Sequence, residues 1–430
     1  MKRSTRGTAL VVTLSAVLCI QATPCCAQAV ATAPARLHFV DPRHKTAAQI
    51  DIDPALFGWD MFVFVNWPEF PGQRGVPNTK REIGDRGATV WESFKNVSEV
   101  YPSNGGRPAA WEIDDELPPI PSVRAAISKL EAVKPVDSRW VHFLAEPVMI
   151  DGQRICDATS HFIHYDVRGN KSYFDYVVNN ISGHQLYNTE GQLAALADPT
   201  FTFNFPSDTV EVKASWRILD SSDDSSRYWT AIGVYYDTNG SLRASRIGLT
   251  GLHITSKALP NWVWITFEQV DNHDQTYKWN LGAKRGEVGP NPNYDKRLTQ
   301  LNKEFQQALA EINAKWQYYA LMKVQTAYVD AAKQPILSSN TQMETYFQSK
   351  SSCISCHTLA SIGNPQNPSQ AFRLKFFYPL NPYVGNIDFQ QIANKQFPGE
   401  SFKAMDFVWS LRNAHYANPP ANKAKPASGK

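Results

Sequence analysis

The sequence predicts an α+β chain: a mixed N-terminal region with an antiparallel β-sheet, followed by a helical C-terminal segment. Two patterns carry this expectation. Val210, Val212, Ala214, Trp216 and Ile218 alternate with Glu211, Lys213, Ser215 and Arg217, the period-two signature of a strand with one buried face. Leu301, Phe305, Leu309, Ile312 and Trp316 recur at helical spacing among charged residues, the mark of an amphipathic helix over about 298–320.

The chain opens with Lys2, Arg3 and Arg6, an apolar run from Thr8 to Ile20, and Ala27-Gln28-Ala29, which together read as a secretory signal over residues 1–29. The mature chain is therefore expected to be exported, periplasmic or beyond, and soluble, since no later stretch is long and apolar enough to span a bilayer. The full chain holds 43 basic and 40 acidic residues; the signal removes three basic residues and no acidic ones, so the mature form is balanced. Such a balance gives no reason to expect nucleic acid or an anionic membrane as partner.

Residues 30–335 form the expected mixed region. Asp53 is a good N-cap, Pro54 suits the first helical position and Pro68 stops the run, so a largely buried helix is expected between them. Strands are expected over about 160–179 and 200–270. Phe162–Val167 and Tyr173–Val178 flank Arg168-Gly169-Asn170-Lys171 as a hairpin, and Asn239-Gly240 is a tight-turn signal between two further strands. His161 and His164 are three apart and so point to opposite faces of a strand, which argues against a metal pair. The acidic stretches at Asp220, Asp223 and Asp224 and around His273 read as polar loop and strand-end chemistry. Gln334 to Asn340 reads as a linker, which places a domain boundary near 336.

Beyond it lies Cys353-Ile354-Ser355-Cys356-His357. Two thiols at this spacing can add to the two vinyl groups of a porphyrin, with the following imidazole placed to bind its iron. The competing readings are half a zinc site, a thioredoxin-type redox pair and a plain disulfide. The mature chain lacks a second Cys/His pair at zinc-finger spacing, and the redox pair has no need of the histidine. Of six cysteines, Cys19, Cys25 and Cys26 leave with the signal, so Cys156 has no partner if Cys353 and Cys356 carry haem. Cys156 then reads as a small buried apolar side chain. Thr341 and Glu344 form a capping box, with Met343, Tyr346 and Phe347 as the apolar stripe of a helix before the motif.

Over about 340–416 the chain resembles the monohaem c-type cytochromes, through Cys353, Cys356 and His357. Residues 30–335 are similar to the companion regions of exported bacterial cytochrome c family proteins. The resemblance implies an all-α, cytochrome c-like haem domain over 336–416, ahead of a disordered tail at 417–430. It implies one haem c per chain, thioethers at Cys353 and Cys356, His357 as proximal iron ligand, and a carbonyl of the loop Gly363–Pro368 holding the imidazole. Met405, the only methionine after the motif, is the candidate sixth ligand; Phe402, Met405, Val408, Trp409 and Arg412 also fall at helical spacing, which suits a core position. His415, His253 and His273 are the other candidates.

The first functional reading is electron transfer to or from a redox partner protein. The second is a haem enzyme, peroxidase- or oxygenase-like, with an open sixth position. A variant of the second places the substrate in the large domain and passes its electrons to the haem.

Overall fold

A computed structural model describes residues 37–117, 120–133, 135–145, 149–150, 153–156, 162–179, 183–237, 239–272, 278–279, 291–344, 348–363, 389–396, 398–399 and 402–418. The expected signal and His161 and His273 lie outside these residues. Among the described residues, no helix is long and apolar enough to cross a membrane.

An eight-stranded mixed sheet dominates the molecule. Its strands are β1 (Lys95–Asn96), β2 (Val141–Phe143), β3 (Ile163–Gly169), β4 (Val210–Ile218), β5 (Thr230–Tyr236), β6 (Leu242–Ser256), β7 (Val263–Gln269) and β8 (Tyr319–Gln325). The order is β1-β3-β4-β6-β5-β2, with β7 pairing β6 and β8 pairing β7. All pairs are antiparallel except β2 with β5, which run parallel. The Asn239-Gly240 turn joins β5 to β6, with Gly240 at φ +73°, where glycine is favoured.

The predicted helix at Asp53 is present as α1 (Pro54–Val65), and the Asp53 carboxylate accepts the Leu56 N–H at 3.0 Å. It lies directly on the sheet: a Cβ added to Gly58 would sit 2.8 Å from Val324 Cγ2, so the close approach needs glycine. Trp59 stacks on Phe305 of α3 (Thr299–Glu311), with ring centroids 4.5 Å apart, and meets Phe267 of the sheet edge-on. Its indole N–H donates to Asn302. The helix expected over 298–320 thus ends at Glu311; Asn313 is left-handed at φ 55°, and Tyr319 already begins β8.

Two further expectations are corrected. The second arm of the expected hairpin is a helix, α2 (Lys171–Val178), because the Asn170 side chain caps it by accepting the Tyr173 N–H. Tyr173, Tyr176 and Val177 then share its buried face. The C-terminal stretch is not an all-α cytochrome c-like domain. Among the described residues its regular structure is α4 (Cys353–His357), the two-stranded sheet of β9 (Ser361–Gly363) with β10 (Phe402–Ala404), the helix Phe389–Gln396, and short 3-10 turns. At the expected Thr341 capping box, residues 341–344 form a turn and not a helix, since both the Thr341 N–H and its hydroxyl donate to the buried Glu268 carboxylate at 2.7 Å; Tyr346 and Phe347 lie outside the described residues. The expected helix around Met405 is broken by left-handed Asp406 and Phe407 (φ 48° and 67°). Ile354, Ala360, Ile362, Met405 and Leu411 are buried in the same core as the sheet.

On the α1 side of β3, a network of charges is sealed from solvent. Asp166 accepts from His142 Nδ1 at 2.7 Å and from Arg168 Nε at 2.8 Å, while Arg168 Nη2 donates to Glu116 at 2.7 Å. Glu92 accepts from Trp229 Nε1 at 3.0 Å and faces His142 Nε2 at 3.2 Å. Arg168 is fully buried and ties β3 to the segments carrying Glu92 and Glu116. Removing it would strand buried carboxylates. Arg168→Met is expected to destabilise the protein by about 3–5 kcal/mol in urea unfolding.

Candidate functional site

The two faces of the sheet have opposite chemistry, and strand register shows it row by row. Val212, Ile254 and Ile265 lie side by side on the α1 face, as do Ala214, Leu252 and Phe267. On the other face, Glu211, Thr255 and Trp264 form one row, Lys213, His253 and Thr266 the next, and Ser215, Gly251 and Glu268 a third. Alternation alone would turn this polar face to water. Instead the described residues 338–344 and 348–357 lie over it.

That cover is fastened by buried polar contacts. Asn340 Nδ2 donates to Thr266 Oγ1 at 3.1 Å and to the Phe267 carbonyl at 3.0 Å. Tyr165 donates to the Gln342 carbonyl at 2.9 Å. Gln325, at the end of β8, donates to Ser352 Oγ at 3.1 Å and accepts from the Ile354 N–H, which fixes the start of α4.

Between cover and sheet is a cavity of about 260 Å³. Cys353, Cys356 and His357 of α4 all line it, opposite Glu211, Lys213, His253 and Trp264, with Met343, Glu344, Trp409 and Arg412 at its sides. The sequence motif and the polar sheet face therefore belong to one site.

His357 is held from both sides. Its Nδ1–H donates to the Phe407 carbonyl at 2.8 Å, which leaves Nε2 as the unprotonated ring nitrogen of the neutral form. Trp264 lies against the ring, centroids 4.3 Å apart. Burial pushes the imidazole down to about 4, so it is neutral at pH 7 and able to donate a lone pair. The carbonyl comes from the left-handed Asp406-Phe407 turn rather than from the loop after Gly363, whose residues 364–388 lie outside those described. Asp406 is in turn anchored by Lys257 Nζ at 2.6 Å and the Phe205 N–H at 2.8 Å.

The thiols are unsuited to redox exchange. Burial, with the Glu344 carboxylate, pushes Cys353 up to about 12, and Cys356 is raised by burial and by Cys353. Both are free thiols three residues apart on one short helix. The zinc reading finds no further ligands here: among the described residues, no three His, Cys, Asp or Glu side chains cluster to hold a metal ion.

The opposite wall is charged. Burial works to raise Glu344, but His253, Lys213 and the Asn340 N–H outweigh it and hold its carboxyl below the usual range. His253 Nε2 lies 3.5 Å from Glu344 Oε2. Burial lowers Lys213, against the pull of Glu344 and Glu211, and its ammonium sits 4.1 Å from the centre of the Tyr165 ring. Burial raises Glu211 to about 7.

Of the candidate ligands, Met405 is fully buried in the core, its N–H bonded to the Ala360 carbonyl at 2.8 Å, and it does not line the cavity. Met343 and His253 do line it; His415 bonds to Thr189 through its carbonyl and does not. Sequence reading missed Glu211, Lys213, Trp264 and Glu344 as site residues. The available signal was a pair of charges alternating on what proves to be a central strand, where solvent is not the default neighbour.

The donor set suits a covalently held haem: two thiols on one helix face, a neutral imidazole with Nδ1 engaged and Nε2 unprotonated, and an aromatic wall. The cavity is slightly below the roughly 300–1,000 Å³ of ordinary small-molecule pockets, so a haem seated there requires the lining to open further. In chain prepared without haem, Cys353 and Cys356 are expected to react with iodoacetamide at pH 8 about a hundredfold slower than in urea. Equal rates would mean that Cys356 is not buried, and Cys353 not half-buried, as described. Comparison with protein-family models, with characterised proteins and with solved structures finds no match to this chain.

Proposed function

We propose that this chain is an exported c-type cytochrome that carries electrons through one haem, bound through Cys353 and Cys356 with His357 as proximal iron ligand. The observation that carries the reading is the His357 Nδ1–H bond to the Phe407 carbonyl, because a metal-binding imidazole is ordinarily oriented by a bond at its other nitrogen. A haem held there supplies a one-electron ferric–ferrous couple.

The chain's own residues do the rest. Cys353 and Cys356 fix the ring edge, while Phe407 and Trp264 hold the imidazole neutral and oriented. Burial against the sheet limits water at the site. Met343 replaces Met405 as the thioether best placed to meet the sixth position, since it lines the cavity. The electron donor and acceptor are proposed to be redox partner proteins.

A second reading is favoured by His253 and Glu344. A histidine on the sheet wall paired with a carboxylate of the cover, both lining the cavity, is what proton handling at an open iron position requires. A haem enzyme acting on peroxide or oxygen would use that pair.

One preparation tests both. Full-length protein matured in a periplasm is expected to keep haem staining on a denaturing gel, with staining weakened by Cys356→Ala. Absence of stain in the unaltered protein would overturn the haem reading. Low-spin spectra that ignore carbon monoxide are expected for the carrier, and Met343→Ala should make the iron high-spin and reactive to it. Ready carbon monoxide binding by the unaltered protein would instead favour the enzyme.

A further inference from the structure

Glu211, a carboxylate lining the cavity, is tied to a line of hydroxyls running away from the site. The Ser410 hydroxyl donates to Glu211 Oε2. Ser410 Oγ is 2.7 Å from the Tyr173 hydroxyl of α2, and that hydroxyl is 2.5 Å from the hydroxyl of Tyr101. Ser410, Tyr173 and Tyr101 are buried, at 6%, 0% and 2% exposure, and Tyr101 lies two residues before the exposed Ser103 and Asn104, with the half-buried Pro102 between.

A hydroxyl has one proton to donate, so the direction of such a chain is set at its end. With Ser410 donating to an ionised Glu211, Tyr173 donates to Ser410 and Tyr101 to Tyr173. With Glu211 protonated, the same oxygens can point the other way. A hydrogen-bonded line that reverses when its terminal group takes a proton is the arrangement a proton relay needs, and the bonds polarise one another along it.

We propose that Tyr101, Tyr173, Ser410 and Glu211 form a proton path opening on the cavity, so that a proton taken up at Glu211 accompanies an electron entering the site. The electron comes from the redox partner and the proton from water. The proton entering at Tyr101 displaces one hydroxyl proton after another, and the last adds to the Glu211 carboxylate as its O–H. The hydroxyls are unchanged after one passage and reorientation. Only the coupling to electron entry rests on the haem reading; the path itself does not.

The charges around Glu211 suit this role. Lys213 on its own strand, His253, Glu344, His357 and Arg412 line the same cavity, and Tyr173 faces it through Ser410. Burial holds Glu211 up to about 7 against the Ser410 bond and the Lys213 charge, so it exchanges a proton near neutral pH. Burial and the neighbouring Tyr101 and Glu211 hold Tyr173 well above its ordinary value, so it stays a neutral hydroxyl that can pass a proton on.

The test follows the carboxylic acid band of the full chain by infrared spectroscopy, at equilibrium and after a rapid pH jump. The expected band titrates near pH 7 and disappears in Glu211→Gln. In Ser410→Ala its midpoint moves up by about one pH unit, through loss of a donor to the charged form. In Tyr173→Phe the midpoint stays near that of the unaltered protein, while protonation after the jump slows about tenfold or more. No titrating Glu211 band, or equal rates in Tyr173→Phe and the unaltered protein, overturns the path.

The coupling is read from the midpoint potential. It should fall as pH rises through the Glu211 titration and be flat in Glu211→Gln. A potential that does not change with pH overturns the coupling. A gel without covalent haem overturns the coupling together with the haem reading, while the infrared result still decides the path.

Discussion

Glu268 holds the arrangement together. It sits on the polar face of β7, fully buried, and its two oxygens take the N–H and hydroxyl of Thr341. Burial raises it to about 7 despite these bonds. A carboxylate in that position has no solvent to satisfy it, so the chain after Ser338 must supply the donors. With Thr341 and Asn340 pinned to the sheet, Met343, Glu344, Ser351, Cys353, Cys356 and His357 line one cavity with Lys213 and Glu211. Fold and site thus share one requirement, the satisfaction of a buried polar sheet face.

Single elements were legible where local chemistry and tertiary setting agree, although the expected fold class was not met. Asp53 and Pro54 start α1, Asn239-Gly240 turns β5 into β6, and the alternation at 210–218 is a strand. Reading failed where a side chain had two suitors. Asn170 could sit in a hairpin turn or cap a helix; it caps α2 while also donating to the Asp208 carbonyl, a contact 38 residues away. Thr341 could cap its own helix, but Glu268, 73 residues away, takes its donors. Phe402 to Arg412 has helical spacing, yet Lys403 donates to the carbonyls of Ala195, Asp198 and Phe201, and Asp406 is claimed by Lys257. Each of these decisions is made by long-range partners that no local window contains.

The site was legible only on one side. Cys353, Cys356 and His357 announce themselves by spacing, and the structure puts all three on one cavity wall. The other wall is written as alternate residues of strands far apart in sequence, Glu211 and Lys213 on β4, His253 on β6 and Trp264 on β7. On an isolated strand those residues read as a solvated face, because periodicity reports which residues share a face and not what covers it. The support for His357 was equally hidden, since a backbone carbonyl leaves no mark on side-chain pattern.

The polar face works against stability in a way that can be signed. Glu211 and Glu268 keep their protons to about pH 7 in the folded chain, against about 4.5 for an ordinary glutamate. Between those values the folded state binds more protons than the unfolded one, so their contribution to stability falls as pH rises through that window. Apolar residues of similar volume would avoid that loss, and replacing buried charges in this way is often neutral or stabilising. The α1 face of the same strands shows that this sheet accommodates such packing. Glu268 fastens the cover through Thr341, whereas Glu211 and Lys213 line the cavity beside Cys353, Cys356 and His357, where on the proposed haem reading they would manage protons and charge.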